Sequence, residues 1–224
     1  MGLGELEADL NHSGFARLQE WLQEGVLLEL ESVLDVKGAF NRRPVPRALL
    51  QEWLATTPLN ALMRDLIGKE AQVIRAFYLD KTPEENWALA WHQDTTLAFS
   101  EPLEVEGFHS WVNKAHFFHA QAPAETMGRV LSTRIHLDMI TAAQGSLKVL
   151  PGSHALGILR DDAIARIAGS TLEEVLPAQR GEVFLMRPLL LHGSDRATDP
   201  QSRRILHLEW AAFEPPGGLH WAWF

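Results

Sequence analysis

The hydrophobic pattern of the chain changes near residue 71, and this change constrains the fold more than any other sequence feature. Before it, apolar residues recur with a period of about 3.6, as on one face of an amphipathic helix. After it, short apolar segments alternate with turn residues, as in β-strands. This order predicts an α+β chain, mainly β, in which the helices precede a β-barrel or sandwich.

Three helices are expected in the first 70 residues. The first begins at Ser13-Gly14, the second follows a proline-rich break at 42–46, and the third runs from Thr57-Pro58 to Gly68. Residues Val36 to Phe40 are expected to form a short strand or a turn. A short helix is also expected at 161–168. Strands are expected at 72–79, in two pieces within 87–99, and at 130–139, 146–150, 182–186 with an extension over 188–192, and 203–213.

The length of 224 residues suits a single domain with a sizeable core. We divide residues 1–224 into a helical part at 1–70, a β core at 71–213 and a tail at 214–224. Within the core, residues 100–128 are poorly periodic and rich in aromatic side chains. Long segments of this kind are often lids or binding loops, although a surface insertion without a role fits the same pattern.

Composition narrows the classes of partner and of metal ligand. The net charge is −9 and the basic residues are scattered, which argues against nucleic acid or an anionic membrane as the main partner. With no long apolar run and no signal-peptide pattern, a cytoplasmic location is expected. Because the chain has no cysteine, a bound metal must be held by His, Asp or Glu.

The segment Trp91-His92-Gln93-Asp94 contains the strongest candidate for such a metal site. If it continues into the strand that follows, His92 and Asp94 point to the same face, because side chains two apart in a strand share a face. An imidazole and a carboxylate make two-thirds of the 2-His-1-carboxylate site that binds non-haem iron. His192, in a later apolar segment, is the candidate for the third ligand.

A second His-x-Asp pair, His136 and Asp138, competes with the first. Asp138 lies close to the turn at Gln144-Gly145, so its carboxylate can equally serve the turn. His92 follows a tryptophan-rich strand and precedes the aromatic segment, which favours a position at a pocket rim. Context therefore favours His92 without excluding the second pair.

Three blocks of sequence resemble one enzyme family. They are Trp91 to Asp94, then Gly145 to His154 (GSLKVLPGSH), then His192-Gly193-Ser194 with Arg203 eleven residues after His192. In their order and spacing they resemble the phytanoyl-CoA dioxygenase family of iron(II)/2-oxoglutarate-dependent oxygenases, over about residues 70–213. The resemblance implies a double-stranded β-helix, the cupin-like jelly roll, with N-terminal helices packed on the barrel.

The resemblance also implies a reaction and its residues. His92, Asp94 and His192 would bind Fe(II), and Arg203 would bind the far carboxylate of 2-oxoglutarate. With O2, the enzyme would hydroxylate or otherwise oxidise a small-molecule metabolite or natural-product intermediate, releasing succinate and CO2. Arg203 shares a strand face with His207 and Glu209, and this polar face suits an active-site interior. The neighbouring Arg204 is the alternative.

Other side chains are weaker candidates. Ser194 and Thr133 are expected to contact 2-oxoglutarate, although a turn serine would look the same. Trp91, His119 and His207 are candidates for the substrate pocket. An exposed loop histidine is the alternative for His119, and a buried side chain that supports the site is the alternative for Trp91 and His207. In the tail, Trp221 and Trp223 would cover a hydrophobic edge or join a dimer contact; the chain is expected to be a monomer or homodimer.

Three details limit what is carried over from the family. Ala197 stands where the family often has Asn after the His-Gly-Ser block. The chain is also shorter than the enzyme for which the family is named, so its coenzyme A thioester substrate is not carried over. Asp94 is retained, whereas halogenating relatives lack this carboxylate, so halogenation is disfavoured.

Two other classes of function remain as alternatives. One is a jelly-roll protein that binds a small molecule without turnover, and the other is a cupin-like enzyme that uses another divalent metal, such as zinc or manganese. A complete ligand set argues against the first. Arg203 argues against the second, since a zinc enzyme has no obvious use for it. Hydroxylation, desaturation, ring closure and epimerisation would use the same residues.

Overall fold

The structure, a computed structural model, describes residues 2–34, 42–114 and 117–223. The expected strand or turn at Val36 to Phe40 therefore lies outside the described residues. No helix in these ranges is long and apolar enough to cross a membrane. The helices are α1 (Leu3–His12), α2 (Glu24–Leu34), α3 (Arg47–Thr56), α4 (Pro58–Ile67), α5 (Ala124–Gly128) and α6 (Asp161–Ala168), the last as predicted.

Within the described residues, the strands form three antiparallel sheets. In chain order the strands are β1 (Phe15–Leu18), β2 (Arg42–Pro44), β3 (Gln72–Lys81), β4 (Leu89–His92), β5 (Thr96–Phe99), β6 (His109–Lys114), β7 (Phe117–Gln121), β8 (Leu131–His136), β9 (Leu147–Val149), β10 (Glu174–Leu176), β11 (Val183–Met186), β12 (His192–Ser194) and β13 (Arg203–Ala211). The sheets have the orders β1-β11-β8-β13-β3-β2, β10-β9-β12-β4 and β5-β7-β6. Helices and mostly antiparallel sheets confirm the predicted fold class, although the sheets do not close into a barrel.

The two faces of β13 show how the main core is built. Leu206, Leu208 and Trp210 point to one side and pack with buried residues of the N-terminal helices, among them Leu30 and Leu50. Full burial of each such side chain contributes about 1.5–3 kcal/mol to folding. The alternate residues of β13 point to the other side, toward a cavity between the six-stranded and four-stranded sheets. The helices therefore cover the outer face and leave the inner face to the site.

The prediction that a helix begins at Ser13-Gly14 is wrong. Phe15 to Leu18 instead form the edge strand β1, which pairs with β11 so that Phe15 lies opposite Met186. Gly14 has a φ of +83°, a left-handed conformation that ends α1 and turns the chain into the strand. Apolar residues at 15, 16 and 18 serve this strand, whose partner lies far away in the sequence. A local helical period does not reveal such a partner.

Residues 100–128 include regular structure that their poorly periodic sequence does not predict, and their role as a lid or binding loop stays a prediction. They contain β6, β7 and α5, and β6 and β7 form a sheet with β5. Phe99 and Phe108 pack against each other at this sheet, with ring centroids 5.7 Å apart. The tail covers it, because Trp221 stacks on Phe99 with centroids 5.5 Å apart. The register of β6 shifts between His109 and Val112, which hides the period-two pattern of a strand.

The predicted extension of β11 over 188–192 does not form. After Met186 the chain turns at Arg187 and Pro188, where Leu190 N–H donates to Arg187 C=O. It then enters β12, which belongs to the four-stranded sheet. This change of sheet carries His192 away from β11 and places it beside β4.

Candidate active site

His92 and His192 face each other across two neighbouring strands. They are directly paired in the register of β4 and β12, and their ring centroids lie 4.1 Å apart. Gly193 makes this approach possible, because a Cβ atom there would lie 2.8 Å from the carbonyl oxygen of Leu89. The His-Gly-Ser sequence therefore has a steric reason for its glycine.

Asp94 completes the cluster from outside a strand. The expectation that His92 and Asp94 share a strand face is wrong, since β4 ends at His92 and β5 begins at Thr96. Instead, the backbone N–H of Asp94 donates to the carbonyl of Pro188, which fixes the residue beside β12. Its carboxylate oxygens lie 3.9 Å from His92 Nε2 and 3.6 Å from His192 Nε2. The three ligand atoms lie within 4.8 Å of one another.

Sequence reasoning missed the residue that supports Asp94. The Gln93 side chain is buried, its amide nitrogen donates to the carbonyls of Gly157 and Leu189, and its oxygen accepts from Leu159 N–H. These three bonds tie the turn between His92 and Asp94 to two other segments. The position of this glutamine between two candidate ligands was the sequence feature that could have indicated its supporting role.

The hydrogen bonds of the two imidazoles leave the correct nitrogen available. Nδ1 of His92 lies 2.8 Å from Ala90 C=O, and Nδ1 of His192 lies 2.8 Å from Leu190 C=O. A ring nitrogen beside a carbonyl oxygen carries a hydrogen, so Nε2 of each ring is the nitrogen that faces Asp94 and could bind a metal. Burial lowers the pKa of His192 to about 4, so this ring is neutral at pH 7, as a metal ligand must be.

Asp94 supplies the negative charge of the cluster. Burial opposes ionisation and would raise its pKa, but the attraction of His192, His207, His92 and Arg75 prevails and lowers the pKa to about 2. The donor set is therefore two imidazole nitrogens and one carboxylate oxygen. This set fits a divalent iron with further positions open for other ligands.

Cationic side chains line the cavity beside the cluster. The cavity, of about 80 Å³, is lined by all three cluster residues and by Arg203, Ser194, Lys81 and Arg134, among others. Arg203 is buried, and its Nη1 donates to the carbonyl of Gly145. Lys81 Nζ donates to Trp87 C=O at 2.6 Å and to Ser194 Oγ at 3.2 Å. Arg203 and Ser194 both line this cavity, and their role in binding 2-oxoglutarate stays a prediction.

Sequence reasoning missed Lys81 and Arg134, although each lies in a strand, where alternate side chains share a face. Lys81 shares a face of β3 with Phe77 and Leu79, which also line the cavity. Arg134 lies opposite His207 in the register of β8 and β13. Burial, followed by repulsion from Arg203 and Arg134, lowers the pKa of Lys81 to about 7. Burial, followed by repulsion from Arg134, lowers the pKa of Arg203 to about 10.

The alternative arginine has a different role. Arg204 points away from the cavity and pairs with Asp138 at 2.6 Å and with Glu31 at 2.9 Å. Asp138 therefore belongs to a structural ion-pair network that links β13 to α2. The other member of the second His-x-Asp pair, His136, directs Nδ1 to the carbonyl of Glu182 at 3.0 Å. This pair does not form a metal site.

Thr133 is not placed for contact with 2-oxoglutarate. It is buried on the helix-facing side of β8, opposite Leu208, and its Oγ1 accepts from Trp210 Nε1 at 3.1 Å. The predicted contact of Thr133 with 2-oxoglutarate is therefore wrong. The adjacent residue, Arg134, points to the opposite face of β8 and lines the cavity.

The three substrate-pocket candidates lie in different places. His119 lines a second cavity, of about 340 Å³, which also reaches Asp94. His207 lines the first cavity, with Nε2 3.8 Å from Glu209 Oε1. Trp91 lines neither of these two cavities and instead lines an open groove that His92 and Gln93 also reach. There its ring lies 5.3 Å from Lys148 Nζ.

The turn near Ala197 is held by a residue from another segment. The Asn86 side chain donates to Ala197 C=O and accepts from Ala197 N–H, each at 2.8 Å. An asparagine amide therefore stabilises the place where the family often has its own Asn.

The chain is similar to known proteins over most of its length. The family model for phytanoyl-CoA dioxygenase (PhyH) matches residues 35–205. The chain belongs to the phytanoyl-CoA dioxygenase family. This assignment confirms the family resemblance seen in the sequence.

One curated relative and two solved structures are similar to this chain. Phytanoyl-CoA dioxygenase domain-containing protein 1 of Mus musculus is 26% identical over 174 residues, covering 69% of this chain and 50% of the relative. The chain thus spans about half the length of that relative. AviO1 from Streptomyces viridochromogenes Tue57 matches with a TM-score of 0.66 and 19% identity over 96% of both chains. The epimerase SnoN, in complex with Fe3+, alpha ketoglutarate and nogalamycin RO, matches with a TM-score of 0.68 and 18% identity over 96% of this chain and 91% of SnoN.

Proposed function

We propose that the chain is a dioxygenase that couples the decarboxylation of 2-oxoglutarate to the hydroxylation of a small molecule. One observation carries the proposal: two imidazoles and one carboxylate converge beside a cavity that Arg203, Lys81 and Arg134 also line. His92, Asp94 and His192 are proposed to hold iron(II), which supplies the activation of O2. The other residues bind and orient the two organic reactants.

Arg203 and Ser194 are proposed to bind the far carboxylate of 2-oxoglutarate. A buried carboxylate needs a compensating cation, and a guanidinium can donate two parallel hydrogen bonds to it. The bond from Arg203 to Gly145 C=O fixes the direction of the guanidinium before the ligand binds. Ser194 Oγ already accepts from Lys81 Nζ, so its hydroxyl proton is available to a carboxylate oxygen.

The second cavity is proposed to hold the substrate. It meets the first at Asp94 and Phe77, so a molecule there would approach the metal from a different side than 2-oxoglutarate. Separate cavities let the chain position both reactants against one ion. SnoN is described as an epimerase, so the same fold serves more than one outcome, and the product must be identified chemically.

Oxygen-dependent formation of succinate tests the proposed function. Metal-free protein is supplied with iron(II), zinc(II) or manganese(II) together with 2-oxoglutarate and air, and succinate is quantified. Iron(II) alone should support turnover, slowly without substrate, and His192→Gln should abolish it. His220→Gln, a change at an exposed histidine, is the matched control and should retain the rate. Turnover with zinc or manganese, or 2-oxoglutarate binding without succinate, would favour the other-metal enzyme or the binding protein.

A further inference from the structure

The substrate cavity has its own half-buried arginine, Arg75, which is not part of the proposed cofactor site. Arg75 lies on β3 opposite Glu209 of β13, and its Nη1 pairs with Glu209 Oε1 at 3.2 Å. The guanidinium also lies over the Phe77 ring, 4.2 Å from its centroid. A carboxylate on one side and a ring face on the other fix its orientation.

The guanidinium keeps donors for a ligand. Its Nε is buried and has no hydrogen-bond partner among the residues that the structure describes. A guanidinium has five N–H donors, and the bond from Nη1 to Glu209 Oε1 uses one of them, so further Nη N–H groups remain for a ligand in the cavity that Arg75 lines. Arg75 lines the 340 Å³ cavity, whereas Glu209 lines the smaller one, so the pair spans the boundary between the two.

The rest of the cavity defines the body of that ligand. Aromatic and apolar side chains form much of the wall, including Phe77, Phe117, Trp223 and Ile74. Trp223 is fixed there because its Nε1 donates to Val45 C=O at 2.9 Å. Lys114, which is exposed, adds a second cation to the lining, and Asp94 is the acidic residue in it. The charge of Asp94 faces the metal cluster, so the remaining charged residues of the wall, Arg75 and Lys114, are basic.

The geometry points to a substrate that combines an apolar, ring-sized body with a carboxylate bound by Arg75. This inference rests on the proposed function, which places 2-oxoglutarate at Arg203 and leaves the larger cavity to the substrate. A carboxylate matches the planar fork of a guanidinium and accepts from its remaining N–H groups. The carboxylate then lies at the Arg75 side of the cavity, and the body extends among the rings.

Ligand-observed NMR on the zinc(II) form, saturated with 2-oxoglutarate, tests this inference. Zinc prevents turnover, and 2-oxoglutarate keeps the probes out of the Arg203 site. The probes are 3-phenylpropanoate, its amide, and 3-phenylpropylamine. The acid should bind about tenfold or more tightly than the amide, because a hydrogen bond to a charged group is stronger than one between neutral groups. Arg75→Gln should remove this preference and leave the amide unchanged.

Two further variants keep the outcome decisive. Because Arg75→Gln leaves Glu209 buried without its cation, the double variant Arg75→Gln/Glu209→Gln removes both charges and should give the same loss. Arg129→Gln is the matched control, since Arg129 also stacks on a ring, 4.1 Å from the Phe213 centroid, but is exposed outside the cavity. It should keep the preference for the acid.

The possible failures are distinguishable. If 2-oxoglutarate binds but the acid binds no better than the amide, or binds equally well after Arg75→Gln, the inference is wrong and the proposed function stands. If 2-oxoglutarate does not bind, the proposed function fails, and the same probes on metal-free protein still report whether Arg75 selects a carboxylate. Absence of acid binding up to its solubility limit overturns the inference.

Discussion

His192 lies directly opposite His92 in the register of β12 and β4, with ring centroids 4.1 Å apart. Their Nδ1 atoms each face the carbonyl two residues earlier in the chain, at 2.8 Å. One arrangement therefore repeats on two neighbouring strands and turns both Nε2 atoms toward the same point. Asp94 meets that point from a turn that Gln93 holds in place.

Gly193→Ala should disable metal binding without a change at any ligand. The added methyl group would lie 2.8 Å from Leu89 C=O, so β4 and β12 must separate and the two imidazoles with them. We expect iron affinity to fall by about tenfold or more, as for changes to groups that orient metal ligands. Calorimetric titration of metal-free protein measures it. Gly128→Ala is the control, because a Cβ there meets nothing within 4 Å. Unchanged affinity in Gly193→Ala would contradict this role.

The two adjacent arginines should separate cofactor binding from stability. Arg203→Gln should weaken 2-oxoglutarate binding by about ten- to a hundredfold, because it removes a charge-assisted hydrogen bond. Arg204→Gln should leave that affinity unchanged and lower the free energy of unfolding by about 1 kcal/mol, since its half-exposed ion pairs with Asp138 and Glu31 are screened by water. Binding titrations and urea denaturation of both variants measure the two effects. The reverse pattern would show that the strand face was assigned wrongly.

The affinity for 2-oxoglutarate should fall as pH rises through about 7. Lys81, whose pKa is lowered to about 7, is mostly charged below that pH and loses its attraction for a carboxylate above it. The dissociation constant should therefore increase between about pH 6 and pH 9 in the wild type. Lys81→Arg, which stays charged over this range, should flatten the profile, and Lys81→Met should show the weak binding at every pH. A wild-type profile that is flat, or that Lys81→Arg leaves unchanged, would exclude Lys81 from the site.

Much of the fold followed from the sequence wherever the periodicity was local. Helix α6 and the strands β3, β11 and β13 lie close to their predicted positions, because their apolar spacing and turn residues are regular. Strand β1 was missed because its apolar residues fit a helical period as well as a strand. Only its pairing with Val183 to Met186 decides between helix and strand, and that pairing joins segments far apart in the sequence.

The candidate site was predictable in its residues more than in its geometry. The sequence motif singled out His92, Asp94 and His192, and the structure brings them together, but Asp94 arrives from a turn and not from a strand. Thr133 was predicted to contact 2-oxoglutarate, but the adjacent Arg134 faces the cavity. The sequence does not reveal the register of β8 against β13, which decides between the two residues. Arg75 was missed because its partner, Glu209, lies far along the chain.

An anaerobic titration of the metal-free protein with iron(II) and then 2-oxoglutarate tests the central claim most directly. Binding of both to the proposed site should produce a visible metal-to-ligand charge-transfer band that saturates at one iron per chain. His92→Ala should abolish the band, Arg203→Ala should raise the concentration of 2-oxoglutarate that it needs, and His220→Gln should leave it unchanged. Absence of the band in the wild type, or its persistence in His92→Ala, would contradict the assignment of iron and 2-oxoglutarate to His92, Asp94, His192 and Arg203.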